Sequence, residues 1–198
     1  MRLIVISTPE PIQHEGDLIA CLLSLDLFAL HLRKPHSTED EMRRLIDSIP
    51  SEYHSRIVLH DHFALAATYG LKGVHLNRRN PVAPPDHHGS LSCSTHSLDE
   101  LEAALPRVDY AFLSPIFDSI SKTHYPSAFT TTDLIAAKDR HLLGPRVFAL
   151  GGVSADRLDT VRSLGFGGAA MLGDVWQHAG TTRFDSYLDH LQQWTEER

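Results

Sequence analysis

Along the chain, short apolar runs without clean alternation are separated by stretches whose apolar residues recur at helical spacing. Eight runs read as strands: Leu3–Ser7, Phe28–Arg33, Arg56–His60, Gly73–Leu76, Leu91–Ser94, Tyr110–Ser114, Val147–Leu150 and Ala169–Leu172. Strands buried on both faces look like this, because neither face has to be polar. Between them, Asp17–Leu25, Thr38–Ile49, Ala64–Tyr69, Leu98–Leu105, Thr131–Asp139 and Asp156–Leu164 read as helices. Ser37 is the expected N-cap of the second and Pro50 its stop. Gly70 suits the C-cap of the third, and Ser97 with Glu100 forms a capping box at the head of the fourth. Ser154 and Gly165 bound the sixth. A last helix, Phe184–Trp194, carries Phe184, Tyr187, Leu188, Leu191 and Trp194 on one face, a stripe suited to docking on other elements.

Strand and helix alternating about eight times implies parallel strands joined by crossover helices. The expectation is a single (β/α)8 TIM barrel covering residues 1–198, close to the lower limit of about 200 residues for that fold. The segment from Asn80 to Gly89, with Pro81, Pro84 and Pro85, is expected to replace most of the fourth helix and shorten that βα unit. A doubly wound open sheet is the alternative. It places a glycine-rich fingerprint after the first strand, and Ser7-Thr8-Pro9-Glu10-Pro11 supplies none.

The net charge of −7 with no basic block argues against nucleic acid as a partner. No apolar run reaches the length of a membrane span, and the N-terminal run is too short for a signal peptide. Two cysteines, Cys21 in a helical pattern and Cys93 in a strand-like run, do not make a disulfide framework, so a cytoplasmic location is expected. Trp176 reads as exposed. With the last helix it offers a surface for a homodimer, although docking of that helix on the barrel explains it equally well.

In a barrel of parallel strands the site lies at the C-terminal strand ends. Reading those ends gives His31 and Arg33, His60 and Asp61, His75 and Asn77, Ser94 and His96, and Ser114 followed by Ser119, Ser121 and Lys122. The seventh and eighth ends carry Gly151-Gly152 and Leu172-Gly173, where backbone N–H groups can approach a phosphate. Four histidines at successive strand ends invite a zinc reading, but they come from strands spread around half the ring, and a zinc site needs tight geometry. Arg33 and Lys122 opposite glycine turns make anion-binding chemistry the better reading.

These residues resemble the thiamine phosphate synthase and thiazole tautomerase family. The likeness runs in order from Leu3 to about Trp176: His31-Leu32-Arg33, His60-Asp61, Gly73-Val74-His75-Leu76, Ser92 to Ser97, Ser114-Pro115-Ile116-Phe117, Ser119 to Lys122, and Ala149-Leu150-Gly151-Gly152-Val153. The resemblance implies a TIM barrel in thiamine biosynthesis. In the synthase, a thiazole phosphate attacks a pyrimidine methyl pyrophosphate, and Mg²⁺ stabilises the departing pyrophosphate. By position, Gly151, Gly152, Leu172 and Gly173 would hold the thiazole phosphate and Arg33 and Lys122 would face the pyrophosphate. Ser94, Ser119 and Ser121 would add contacts, and Asp61 would hold the metal.

Three departures bear on the activity. Pro35 stands where the family synthase has lysine, Asn80 where it has a second metal-binding aspartate, and His60 where it has asparagine. Arg78 or Arg79 could compensate for the lost charge. The expectation that follows is a tautomerase, which needs no cofactor: a phosphate anchor, a cation for the substrate carboxylate, and a proton shuttle. His96 is the first candidate for the shuttle, with His31 and His60 behind it and Lys122 as a catalytic cation. The alternative is the Mg²⁺-dependent synthase, and a third reading is a binder of phosphate ligands without turnover.

Overall fold

The computed structural model describes residues 1–118 and 127–196. Its eight strands are β1 (Arg2–Ile6), β2 (Ala29–Leu32), β3 (Ile57–Leu59), β4 (Gly73–Leu76), β5 (Ser90–Thr95), β6 (Tyr110–Leu113), β7 (Val147–Ala149) and β8 (Gly168–Met171). Each pairs in parallel with the next, and β8 pairs with β1, so the sheet closes into a barrel in chain order. The helices are α1 (Glu15–Ser24), α2 (Glu39–Asp47), α3 (Ala64–Thr68), α4 (Leu98–Ala104), α5 (Thr131–Asp139), α6 (Leu158–Ser163), α7 (Gly173–Trp176) and α8 (Phe184–Glu196). No helix joins β4 to β5, which is the shortened unit that the proline-rich segment predicts.

The strands alternate as a closed barrel requires. Ile4, Ile6, Ala29, Val58, Tyr110, Phe112, Phe148 and Ala170 fill the interior. The opposite parity, including Leu3, Val5, Leu30, Leu32, Leu59, Leu113 and Met171, packs outward against the helices. At the N-terminal end of the barrel the Arg2 guanidinium lies 4.8 Å from the Phe28 ring centroid and 4.9 Å from that of Phe148. The Lys72 ammonium lies 4.6 Å from the Phe28 ring centroid. These cation–π contacts close the end away from the site.

Several local details differ from the sequence reading. Thr38, not Ser37, caps α2: its hydroxyl accepts the Glu41 N–H at 3.3 Å, and the Glu41 carboxylate accepts the Thr38 N–H at 2.7 Å. Glutamate three residues on selects Thr38, because only that register completes both halves of the capping box. Ser97 accepts the Glu100 N–H at 3.1 Å, but the Glu100 carboxylate takes the N–H of His96 instead of Ser97. The α6 segment opens with a 3-10 turn, Ala155–Arg157, and Ser154 makes no side-chain cap. Another 3-10 stretch, Ser51–Arg56, and the short α7 have no strong sequence signal.

Trp176 is half-buried, not exposed, and its indole N–H donates to the Ile6 carbonyl at 2.7 Å. The stripe of α8 docks on the barrel through Phe184, Tyr187 and Leu191. Both features are therefore accounted for within one chain. Among the described residues no helix is long and apolar enough to cross a membrane, and both cysteines are free.

Candidate active site

A cavity of about 980 Å³ opens at the C-terminal strand ends and runs on into the groove beside β4 and β5, where residues 77–89 stand in for a helix. Its mouth is walled by Arg33, His60, His75, Arg78, Arg79, Ser94, His96, Gly151, Gly152, Leu172 and Gly173. No carboxylate lines it among the described residues.

Below the mouth lies a hydrogen-bonded histidine cluster. His31 Nδ1 shares a hydrogen bond of 2.9 Å with His60 Nε2, and His31 Nε2 pairs with the Tyr110 hydroxyl at 2.8 Å. His75 pairs with Ser92 Oγ at 2.8 Å and with Ser94 Oγ at 2.9 Å, and its ring stacks on His60 at 4.2 Å. All three histidines are buried. Burial holds His31 and His60 well below the usual histidine range; repulsion between rings that would share charge adds to it, from His75 first in both cases and from His31 for His60, and so do the cations Lys72 for His31 and Arg33 and Arg79 for His60. Burial alone lowers His75 to about 3. The cluster is thus neutral at physiological pH.

The expectation that the histidines lie spread around half the ring is corrected for three of them. Ligating atoms of His31, His60 and His75 all fall within 4.8 Å of one another, because three adjacent strands point the same parity into a narrow barrel. Both ring nitrogens of His31 and both of His75 are engaged by neighbours, and cations face His60, so the donor set suits a hydrogen-bond network better than zinc. His31 also does not reach the cavity. It sits two residues deeper than Arg33, and the cluster members that line the cavity are His60 and His75.

His96 stands at the mouth, exposed, with Nδ1 against the Ser114 carbonyl at 3.1 Å and the Ser114 hydroxyl at 3.2 Å. Its Nε2 has no hydrogen-bond partner among the described residues. Ser119, Ser121 and Lys122 lie outside the described residues.

Across the mouth from the arginines, the backbone turns after β7 and β8 face the cavity. Gly151 and Gly152 have φ of +91° and +63°. A Cβ on Gly152 would sit 2.2 Å from the Asp118 carbonyl oxygen, so the residue must be glycine both for its conformation and for its space. Asp174, buried one residue past Gly173, ties the two turns together. It accepts the Ala155 N–H at 2.9 Å and the Tyr187 hydroxyl at 2.8 Å, which joins the loops after β7 and β8 to α8. Burial, reinforced by Asp174, raises the Tyr187 pKa and keeps that hydroxyl a donor.

Comparison with known proteins identifies the family. The family model described as thiamine monophosphate synthase matches residues 3–175. The chain belongs to the thiamine monophosphate synthase family. It is 31% identical over 181 residues to the thiamine-phosphate synthase of Serratia proteamaculans, covering 84% of this chain and 82% of the relative. It is 28% identical over 176 residues to that of Cronobacter sakazakii, covering 84% and 83%. The crystal structure of thiamine phosphate pyrophosphorylase from Bacteroides thetaiotaomicron superposes with a TM-score of 0.86 at 37% identity, covering 98% of this chain and 95% of that one. Membership makes the chain a thiamine-biosynthesis enzyme of the thiamine-phosphate synthase type. The relatives' names back the synthase alternative better than the tautomerase that the sequence placed first.

The family resemblance implies Mg²⁺ at Asp61, and the residues present do not fit it. Arg79 grips Asp61 with two parallel hydrogen bonds, Nε to Oδ1 at 3.0 Å and Nη2 to Oδ2 at 3.1 Å. Asn80, at the position of the family's second aspartate, donates its amide to Asp61 Oδ1 at 3.0 Å and to the His60 carbonyl at 3.0 Å. Two acceptors at that amide require its nitrogen there, so the group offers a donor where a cation needs oxygen.

Proposed function

We propose that the chain joins a thiazole phosphate to a pyrimidine methyl pyrophosphate and releases pyrophosphate. The observation that carries this reading is the distribution of charge around the mouth. Glycine turns suited to one phosphate face a wall of Arg33, Arg78 and Arg79, with no carboxylate among the described residues lining the space between. A substrate carboxylate needs one cation, whereas a departing pyrophosphate gathers several negative charges, which the arginine wall matches. The thiazole ring nitrogen forms a bond to the pyrimidine methylene carbon. The bond from that carbon to the pyrophosphate oxygen breaks, and its electron pair leaves with pyrophosphate. Bond formation removes no proton, so positioning and charge stabilisation are the main demands on the protein.

A second reading, a proton shift on a thiazole carboxylate phosphate, is favoured by His96. With Nδ1 fixed on the Ser114 carbonyl, a neutral imidazole leaves Nε2 as a base. One experiment separates the two. Purified protein is given thiazole phosphate with pyrimidine methyl pyrophosphate, and separately the non-aromatic thiazole carboxylate phosphate. Thiamine phosphate and pyrophosphate are expected from the first mixture. If only the second substrate is converted, and His96→Ala abolishes that conversion, the isomerase reading replaces transfer. Turnover of neither leaves a binder.

A further inference from the structure

We propose that the Arg79 guanidinium takes the place of a divalent cation on Asp61, so that this chain holds pyrophosphate through arginines without a bound metal. The inference rests on the reading that the mouth receives a pyrophosphate. Both Asp61 oxygens are engaged by one guanidinium, and Oδ1 also accepts from Asn80. Asp61 is nearly buried, at 11% side-chain exposure, while Arg79 keeps 42% and so presents its outer edge to the cavity that it lines.

The loop that carries Arg79 is fixed by its own hydrogen bonds. Asn77 and Asn80 exchange backbone N–H to carbonyl bonds at 3.1 Å in both directions. The Asn77 side chain accepts the N–H of Arg79 at 3.0 Å and of Asn80 at 3.2 Å, and its amide donates to the His60 carbonyl at 2.6 Å. The guanidinium is therefore positioned before any ligand arrives. Arg33 stands in the same cluster: burial and the like charge of Arg79 lower its pKa, while Asp61 opposes them. Asp61 neutralises one of these charges and allows two arginines to sit close together. The rest of the positive charge faces the cavity. For a divalent ion to bind Asp61, Arg79 would have to leave and Asn80 would have to turn its amide oxygen inward, which breaks its bond to the His60 carbonyl.

The test is calorimetric binding of inorganic pyrophosphate to the full chain, in excess chelator and in Mg²⁺. The wild-type chain is expected to bind with affinities within about threefold of each other in the two conditions, as suits charge-assisted contacts made by the protein itself. Arg79→Ala is expected to lose about tenfold or more in chelator. The double variant Arg79→Ala with Asn80→Asp, which rebuilds a two-carboxylate site, is expected to bind only with Mg²⁺. Wild-type binding only with Mg²⁺ overturns the inference and leaves the transfer reading standing. No binding of pyrophosphate in either condition removes the transfer reading and the inference with it.

Discussion

Lowering the pH from about 7.5 to about 5 is expected to destabilise the folded state, with His75 alone costing roughly 2 kcal/mol and His31 and His60 adding in the same direction. The sign follows from the direction of the shifts. Folding holds all three well below their ordinary value of 6.5. In the unfolded chain they take up protons as the pH falls through 6.5, and in the barrel they do not. The stability is fully present above the unfolded value and is lost progressively below it, until the pH reaches the folded value, about 3 for His75. At pH 5 the His75 loss depends on the unfolded value alone, because its folded ring is still neutral. Urea unfolding at the two pH values measures this directly. His75→Gln, which can still face Ser92 and Ser94, is expected to remove roughly 2 kcal/mol of the difference. Equal stability at both pH values would show that the cluster titrates freely and is not sealed in the barrel.

Replacing Gly152 is expected to be the most damaging single change at the mouth. Gly152→Ala puts a Cβ 2.2 Å from the Asp118 carbonyl oxygen and 2.8 Å from Phe117, at a φ of +63°. The turn has no cheap escape, since Arg157 also grips the Gly152 carbonyl at 2.7 Å. A cost of about 3 kcal/mol in stability is expected from strain and backbone displacement. Because the displaced backbone is the one offered to phosphate, thiazole phosphate affinity is expected to fall about 100-fold, a loss of two charge-assisted hydrogen bonds. Gly144→Ala, which meets nothing within 4 Å, serves as the control and is expected to change neither quantity. Normal thiazole phosphate binding by Gly152→Ala would mean that the phosphate sits elsewhere.

The barrel was legible because its signal is repeated. Most strands are buried apolar runs, although β5 is polar and only partly buried; most of the helices between them show helical spacing or a cap, and the proline-rich segment from Asn80 to Gly89 announced the missing helix. The strand-end rule then found Arg33, His60, Asp61, His75, Ser94, His96, Gly151, Gly152, Leu172 and Gly173, and only Asp61 among them does not line the cavity. Depth was not legible. Parity put His31 on the inner face, but whether it reaches the mouth depends on how far β2 runs, and Arg33 is the end residue. Long-range polar pairs were also hidden. The grip of Arg79 on Asp61 joins two loops that share no periodic pattern, and the bond from Tyr187 to Asp174 joins an α8 stripe residue to the loop after β8. The substitution of Asn80 for aspartate was visible, but its consequence was not, because it depends on where a flexible arginine lies. The Trp176 indole found a carbonyl partner across the chain in Ile6, which no local signal records.

In the proposed function two anion sites face each other across one mouth: glycine turns after β7 and β8 on one side, arginines after β2 and β4 on the other. A crystal structure of the chain soaked with thiazole phosphate and inorganic pyrophosphate tests it most directly. The single phosphate is expected on the backbone of Gly152 and Gly173, with pyrophosphate against Arg33 and Arg79. Both anions at one end, or pyrophosphate held away from Arg33 and Arg79, would contradict it.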